Sequence, residues 1–169
     1  MAFYIVNEDI TEMEVDAVVN AANKELNGGG GVDGAIHAAA GPDLDKACAE
    51  IGGCPTGECM VTWGYDMDAI YIIHAVGPIY KDGKSEEERL LRSCYQKAVE
   101  LAVTHGCRSV AFPVISAGAY GYPKEEALDI AVEEIKKGAD ANEKLEFYLT
   151  ITDAKVLGIA KDKYSQYFE

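Results

Sequence analysis

The pattern of apolar and polar positions divides the chain into short apolar runs separated by amphipathic stretches. Residues 3–6 and 59–63 read as strands. Residues 16–20 form an apolar run that closes on Asn20, the form of a central strand buried on both faces, and 69–76, 109–114 and 145–151 complete a set of six. Helical patterns lie between them, two short ones at 35–40 and 42–51. Ser85 with Glu88 three positions on is a capping box, and Leu91, Cys94, Tyr95, Ala98, Leu101 and Ala102 continue it as one apolar face up to a stop at Gly106. Glu86, Glu87 and Glu88 read as a solvated first turn favoured by the helix dipole. Pro123 opens a helix that Gly138 closes, and Asp153 caps a last one. Strands alternating with helices predict an α/β domain with helices on both faces of one sheet.

At 169 residues the chain has the size of a single domain, residues 1–169, and no repeat, linker or low-complexity tract divides it. With 15 Lys and Arg against 29 Asp and Glu the formal charge is −14, which excludes broad binding of nucleic acids or anionic membranes, since both need a basic surface. A local pocket still accepts a small anion. No apolar run approaches the roughly 18 residues of a membrane span, and no signal peptide is expected. Five cysteines, odd in number and without a CxxC pair, are expected as free thiols in the cytoplasm. His37, His74 and His105 stand far apart without an HExxH spacing, so neither a metal nor a cofactor is expected. The chain reads as a monomer.

Two loops that follow apolar strands carry the candidate chemistry. The first contains Gly28, Gly29, Gly30 and Gly31, a run whose entropic cost implies close approach of the main chain to another group, and a helix begins near Asp33. Backbone N–H groups at such a helix start form a phosphate site. Gly29, Gly31 and Gly34 formally satisfy GxGxxG, but the dinucleotide fingerprint sets its first glycine directly after the strand, and the Gly-Lys-Ser/Thr of a P-loop is absent. The second loop, from Phe112 to Pro123, is again built of small residues, with Tyr120 and Tyr122 as rings for ligand packing and the helix after Pro123 adding its dipole. Loops at the carboxyl ends of strands form the crevice of α/β sheets, so the two are expected to face one another.

These segments resemble a known family. Asp16-Ala17-Val18-Val19-Asn20-Ala21-Ala22-Asn23, the glycine run continuing through Val32-Asp33-Gly34-Ala35-Ile36-His37, Cys54-Pro55-Thr56-Gly57-Glu58, His74-Ala75-Val76-Gly77-Pro78 and Ile115 to Pro123 look, in that order, like a macrodomain of the MacroD-like branch. The resemblance implies a three-layer α/β/α sandwich with a central mixed, mostly parallel six-stranded sheet that binds ADP-ribose. It also implies hydrolysis, releasing mono-ADP-ribose from acidic side chains of proteins and deacetylating O-acetyl-ADP-ribose. Carried over by position, Asp9 accepts from the adenine amino group with Ile10 beside it, Asn23 holds the distal ribose, and Asp33 lies next to the scissile ester. Gly29, Gly30 and Gly31, and Ser116, Ala117, Gly118, Ala119 and Tyr120, wrap the diphosphate and distal ribose, with Asn20 and Val32 in the same binding set. The chain departs from the family where Glu8 replaces the usual Gly, where Ala117 replaces Thr, and at Thr152-Asp153-Ala154-Lys155, where an aromatic or Asn side chain often meets adenine.

On this reading Asn23 and Asp33 are the catalytic pair. Asp33 positions a water at the ester or the distal anomeric carbon, the helix start favouring its ionised form, while Asn23 orients the ribose. Asn20 equally reads as a brace for its own turn. His37 and His74 read as packed, hydrogen-bonded histidines, and Cys54 as an inert thiol. The alternative function is a reader that binds ADP-ribose without cleaving it. Because the chain is acidic overall, recognition is expected to rest on close-range backbone hydrogen bonds without long-range steering. ADP-ribose affinity measured by calorimetry is therefore expected to change only weakly between low and physiological salt, and a steep dependence would contradict this.

Overall fold

The computed structural model describes residues 2–169. Its strands are β1 (Phe3–Val6), β2 (Ala17–Ala22), β3 (Cys59–Trp63), β4 (Tyr71–Val76), β5 (Ser109–Phe112) and β6 (Glu146–Thr150), joined in the order β1-β6-β5-β2-β4-β3. Every neighbouring pair is parallel except β3 with β4, at one edge. Helices α1 (Gly31–Ala40) and α2 (Pro42–Ile51) lie on one face, and α3 (Glu87–Thr104), α4 (Lys124–Ala141) and α5 (Ala154–Lys163) on the other. This is the three-layer sandwich with a mixed, mostly parallel sheet that the resemblance implies.

The strand period of two builds both cores. On one face Val19, Ile73, Phe112, Phe147 and Leu149 pack with Leu91, Tyr95, Leu128 and Ile135, and on the other Val18, Ile72, Val76 and Ala111 meet Ile36, Leu44 and Cys48. Each such large apolar side chain stabilises the fold by about 1.5–3 kcal/mol. Strand limits differ from the sequence reading for local reasons. β5 stops at Phe112 because Pro113 has no N–H to continue the ladder, whereas β2 runs on to Ala22 because β4 pairs with it as far as Ala22↔Val76. Among the described residues no helix is long and apolar enough to cross a membrane.

Two helix signals resolve differently from expectation. α4 passes through Gly138 to Ala141; a Cβ at Gly138 would lie 3.1 Å from Val99 Cγ2 and 3.3 Å from Phe147 Cε2, so this glycine lets α4 pack closely on α3 and β6 and does not end the helix. The capping box does not form either. α3 starts at Glu87 after Glu86 in the left-handed region (φ 65°), and Ser85 Oγ donates to Asp82 Oδ1 instead. Glu87 is buried, not solvated: its Oε2 accepts from the N–H groups of Lys81 (2.8 Å), Asp82 and Gly83, and its Oε1 from Ser85 N (2.7 Å). A loop whose N–H groups converge is a better partner for a carboxylate than water is. Farther along α3, Arg92 bonds Glu88 on its own helix and Glu133 and Glu134 on α4, clamping the two helices.

At the far end of the sheet, β3 presents Trp63, the chain's one tryptophan, stacked on Tyr71 at a centroid distance of 5.3 Å and 59% exposed.

The N–H groups around Glu87 hold its carboxyl down at about 2, the Lys81 amide contributing most. A carboxylate whose folded value is depressed from 4.5 to about 2 contributes stability that is complete above pH 4.5 and is lost as pH falls through about 2. Glu87→Gln is expected to lower the melting temperature by several degrees at pH 7, with the deficit shrinking below pH 4.5 and gone near pH 2, read by thermal melts across that range.

Candidate functional site

β2 pairs with β4 along its whole length but with β5 only at Ala17↔Val110 and Val18↔Ala111. Beyond that register the strands part. β2 leads to α1 on one face of the sheet and β5 leads to α4 on the other, so the gap at their carboxyl ends is a topological switch point, where α/β folds place ligands. A cleft fills it. Its two lobes, about 530 and 330 Å³, share Gly31, Val32, Pro113, Val114 and Gly118. Glu8, Asp9, Ile10, Ala117, Asp153 and Val156 line the larger lobe; Asn23, Gly29, Gly30, Asp33, Ser116, Ala119 and Tyr120 line the smaller. The two glycine loops thus face each other as expected.

The first loop is pinned by Leu26, which is buried in the core, and tied by Asn23, whose Nδ2 donates to Asn27 Oδ1 (2.8 Å) and whose Oδ1 accepts from Asn27 N. α1 then begins at Gly31 in the left-handed region (φ 57°), with no side chain capping Gly30. Its first backbone bond runs from Gly34 N to Gly30 O, so the N–H groups of Gly31, Val32 and Asp33 have no acceptor within the helix, and all three residues line the cleft. Gly34 is obligatory for another reason: a Cβ there would lie 2.5 Å from Gly29 O.

The second loop hangs from a residue that the sequence reading treats only as apolar packing. Tyr95 of α3, fully buried, donates its hydroxyl to Pro113 O (3.2 Å) and accepts from Ile115 N (2.9 Å). The signal was available: a tyrosine on an apolar helix face needs a partner for its hydroxyl. Ser116 sits at φ 67°, unusual for a side-chain-bearing residue, and its Oγ donates to Pro78 O (2.8 Å), so the cleft meets its backbone. Tyr122 does not line the cleft. It is buried edge-on against Tyr80, leaving Tyr120 as the ring on the cleft wall. At the other end Asp9 Oδ1 accepts from the amide and hydroxyl of Thr11, which fixes the carboxylate at the rim.

Asp33, in the first turn of α1, is a buried carboxylate on the wall of the smaller lobe. Its Oδ1 accepts from Asn20 Nδ2 at 2.8 Å and lies 3.3 Å from His37 Nε2, while His37 Nδ1 lies 2.7 Å from Asp45 Oδ1. Its Oδ2 faces Gly29, 3.4 Å from where a Cβ would stand there, with Asn23 Nδ2 on the same side. Asn20, expected in the binding set, is fully buried behind Asp33, lines neither lobe, and meets the cleft wall through its bond to that carboxylate.

The fold also brings together histidines that sequence spacing kept apart. His37 and His74 have ring centroids 6.3 Å apart, and with Cys48 they offer ligand atoms within 4.8 Å of one another. All four ring nitrogens are already engaged, with Asp33 and Asp45 on His37 and with Asn20 and Thr62 on His74. Burial, helped by the charges of Asp33 and Asp45, pushes the Cys48 thiol up to about 11. Burial, with His37 beside it, holds His74 down at about 3 and therefore neutral. The cluster is organised as a hydrogen-bond network around Asp33. Cys54, likewise, is a buried thiol raised by desolvation. Among the described residues neither lobe is lined by Lys, Arg or His, so what the cleft offers an anion is backbone N–H groups and neutral side-chain donors such as Asn23 and Tyr120.

A family model described as Macro domain matches residues 19–131. Macro domain-containing proteins of Chlorobaculum tepidum and Listeria monocytogenes are 53% and 56% identical over 134 and 144 residues, covering 79% and 83% of this chain and 78% and 82% of theirs. The ADP-ribose glycohydrolase MACROD2 of Xenopus laevis is 50% identical over 130 residues, which are 76% of this chain and 31% of that longer protein. Among solved structures, an Oceanobacillus iheyensis macrodomain with ADP superposes at a TM-score of 0.90 and 41% identity, covering 96% of this chain and 89% of that one. A Trypanosoma brucei macrodomain in complex with ADP-ribose does so at 0.86 and 37%, covering 95% and 68%.

Tyr95→Phe keeps the packing and removes both loop anchors. It is expected to cost about 1–3 kcal/mol in urea unfolding, the penalty for stranding a buried carbonyl and amide, and to weaken any ligand that spans the second loop.

Proposed function

The chain belongs to the macro domain family, and from that premise we propose that it is an ADP-ribose-binding hydrolase that acts without a metal. Its substrates on this reading are proteins carrying mono-ADP-ribose on acidic side chains, and O-acetyl-ADP-ribose. The observation that carries the proposal is Asp33, a buried carboxylate beside Asn23 on the wall of the smaller lobe, whose other lining residues carry no charge. Binding alone needs the N–H groups of the two loops and gains nothing from a negative charge there. The name of the Xenopus relative and the ligands of the solved macrodomains support the same reading.

Adenine occupies the larger lobe with Asp9 and Ile10, the diphosphate lies across the shared floor of Gly31, Val32 and Gly118, and the distal ribose reaches Asn23 and Asp33. Asp33 Oδ1 is taken by Asn20, so Oδ2 is the oxygen that accepts a hydrogen bond from the attacking water. Where water adds at the ester carbonyl, the acyl–oxygen bond breaks and the ribose oxygen leaves, taking up a proton to become a hydroxyl. Where it adds at the distal anomeric carbon, the bond from that carbon to the ester oxygen breaks, the carboxylate leaves as a stable anion and the water's second proton passes to solvent. The products are ADP-ribose with a free protein side chain, or with acetate.

Release is measured from a protein mono-ADP-ribosylated on Glu or Asp and, separately, from O-acetyl-ADP-ribose. Asp33→Ala is expected to lower turnover by roughly 10²-fold or more while ADP-ribose affinity stays within a few-fold. Full turnover by Asp33→Ala would remove that residue from the reaction. Tight ADP-ribose binding by the wild type without release from either substrate would leave a reader module in place of an enzyme.

A further inference from the structure

The hydrogen bonds behind Asp33 do not end at Asn20. Asn20 Nδ2 donates twice, to Asp33 Oδ1 (2.8 Å) and to His74 Nδ1 (3.1 Å), while among the described residues Asn20 Oδ1 is buried without a partner. Among those residues the carboxamide is therefore held through its amino group, and Asp33 and His74 are the two groups that fix its orientation. Next, Thr62 Oγ1 donates its single hydrogen to Trp63 O (3.0 Å), so at its 3.0 Å contact with His74 Nε2 it is the acceptor. His74 then carries its proton on Nε2, and its Nδ1 is bare and faces the Asn20 amino group. Asn20, Thr62 and His74 are all buried, on β2, β3 and β4.

We propose that His74 and Thr62 are positioning residues for Asp33: Thr62 selects the Nε2–H form of His74, His74 turns the amino group of Asn20 toward Asp33 Oδ1, and Oδ2 is thereby the oxygen left to face the cleft. Without the acceptor at His74 Nδ1 the carboxamide is held by its single bond to Asp33 Oδ1, so the two side chains can turn together. The carboxylate would then lose the fixed direction that keeps Oδ2 toward the cleft. The inference rests on the hydrolase reading, in which Asp33 orients water, and it extends that reading to residues that touch neither ligand nor cleft.

Thr62→Val removes the hydroxyl and keeps the shape, so it tests the chain of bonds with little risk to folding. It is expected to lower kcat about fivefold, the value of one hydrogen bond, with KM and ADP-ribose affinity within twofold of wild type, and Thr62→Ser is expected to restore kcat. His74→Phe is expected to lower kcat further, and to add nothing in an Asp33→Ala background, because it acts only through that carboxylate. Long-range proton–nitrogen NMR of the labelled protein reads the imidazole independently of turnover: Nε2 protonated in the wild type, and a shift toward the Nδ1-protonated form in Thr62→Val. An Nδ1-protonated His74 in the wild type would overturn the proposal. So would wild-type kcat in Thr62→Val, or a parallel loss of kcat, affinity and melting temperature that Thr62→Ser fails to restore. A wild type that releases nothing from either substrate would end the hydrolase reading, while the NMR readout would still decide whether His74 orients Asn20.

Discussion

The parting of β2 from β5 after Val18 and Ala111 is the constraint on which the rest of the site depends. A sheet that stayed paired would have no cleft. A sheet that parts leaves buried backbone groups without their ladder partners, and each such group is costly unless something else meets it. Here side chains do so: the Tyr95 hydroxyl takes Pro113 O and Ile115 N, and Thr150 Oγ1 donates to Phe112 O. On the other side of the gap the first-turn N–H groups of α1 lack helical acceptors because a helix begins there. Fold and site are thus one problem in backbone hydrogen bonding, solved on the protein side by α3 and β6 and left unsolved on the cleft side for a ligand.

That arrangement suits a chain with a charge of −14. Among the described residues no Lys or Arg lines the cleft, and Arg92 and Lys163 are paired away from it, Arg92 between α3 and α4 and Lys163 against Glu125 and Asp129. Backbone amides carry partial charge without occupying space that a lysine or arginine would fill, and they sit where the loops put them with no rotamer entropy to lose. Among the described residues Asp33 is the one charged side chain lining the smaller lobe, and a polar set runs behind it, from Asn20 in the core through His37 to Asp45 at the surface.

Most of the architecture was legible in the sequence because it rests on local signals: apolar runs for strands, Asp153 as a cap, and two small-residue loops after strands. The resemblance then assigned the cleft residues, and all of them except Asn20 line it. What escaped depends on distance in space. Ser85 and Glu88 have the spacing of a capping box, but the converging N–H groups of Lys81, Asp82, Gly83 and Ser85 override it by drawing in Glu87. Gly138 looks like a helix stop until Val99 and Phe147 are known to crowd it. His37 and His74 are 37 positions apart and meet only because α1 lies over β2 and its neighbour β4. Tyr95 gave a readable hint, a hydroxyl on an apolar face, without saying what it would hold.

Trp63 stands beside Tyr71 at the start of β4, whereas the cleft opens at the carboxyl ends of the parallel strands. The chain's one indole is therefore optically separate from its ligand site. Its emission reports solvent at the sheet edge and the loss of the β3–β4 pairing when the protein unfolds, and it is silent about what fills the cleft. For this molecule fluorescence is a clean gauge of folding in the presence of any nucleotide, and binding has to be followed through heat, displacement or the resonances of the glycine loops.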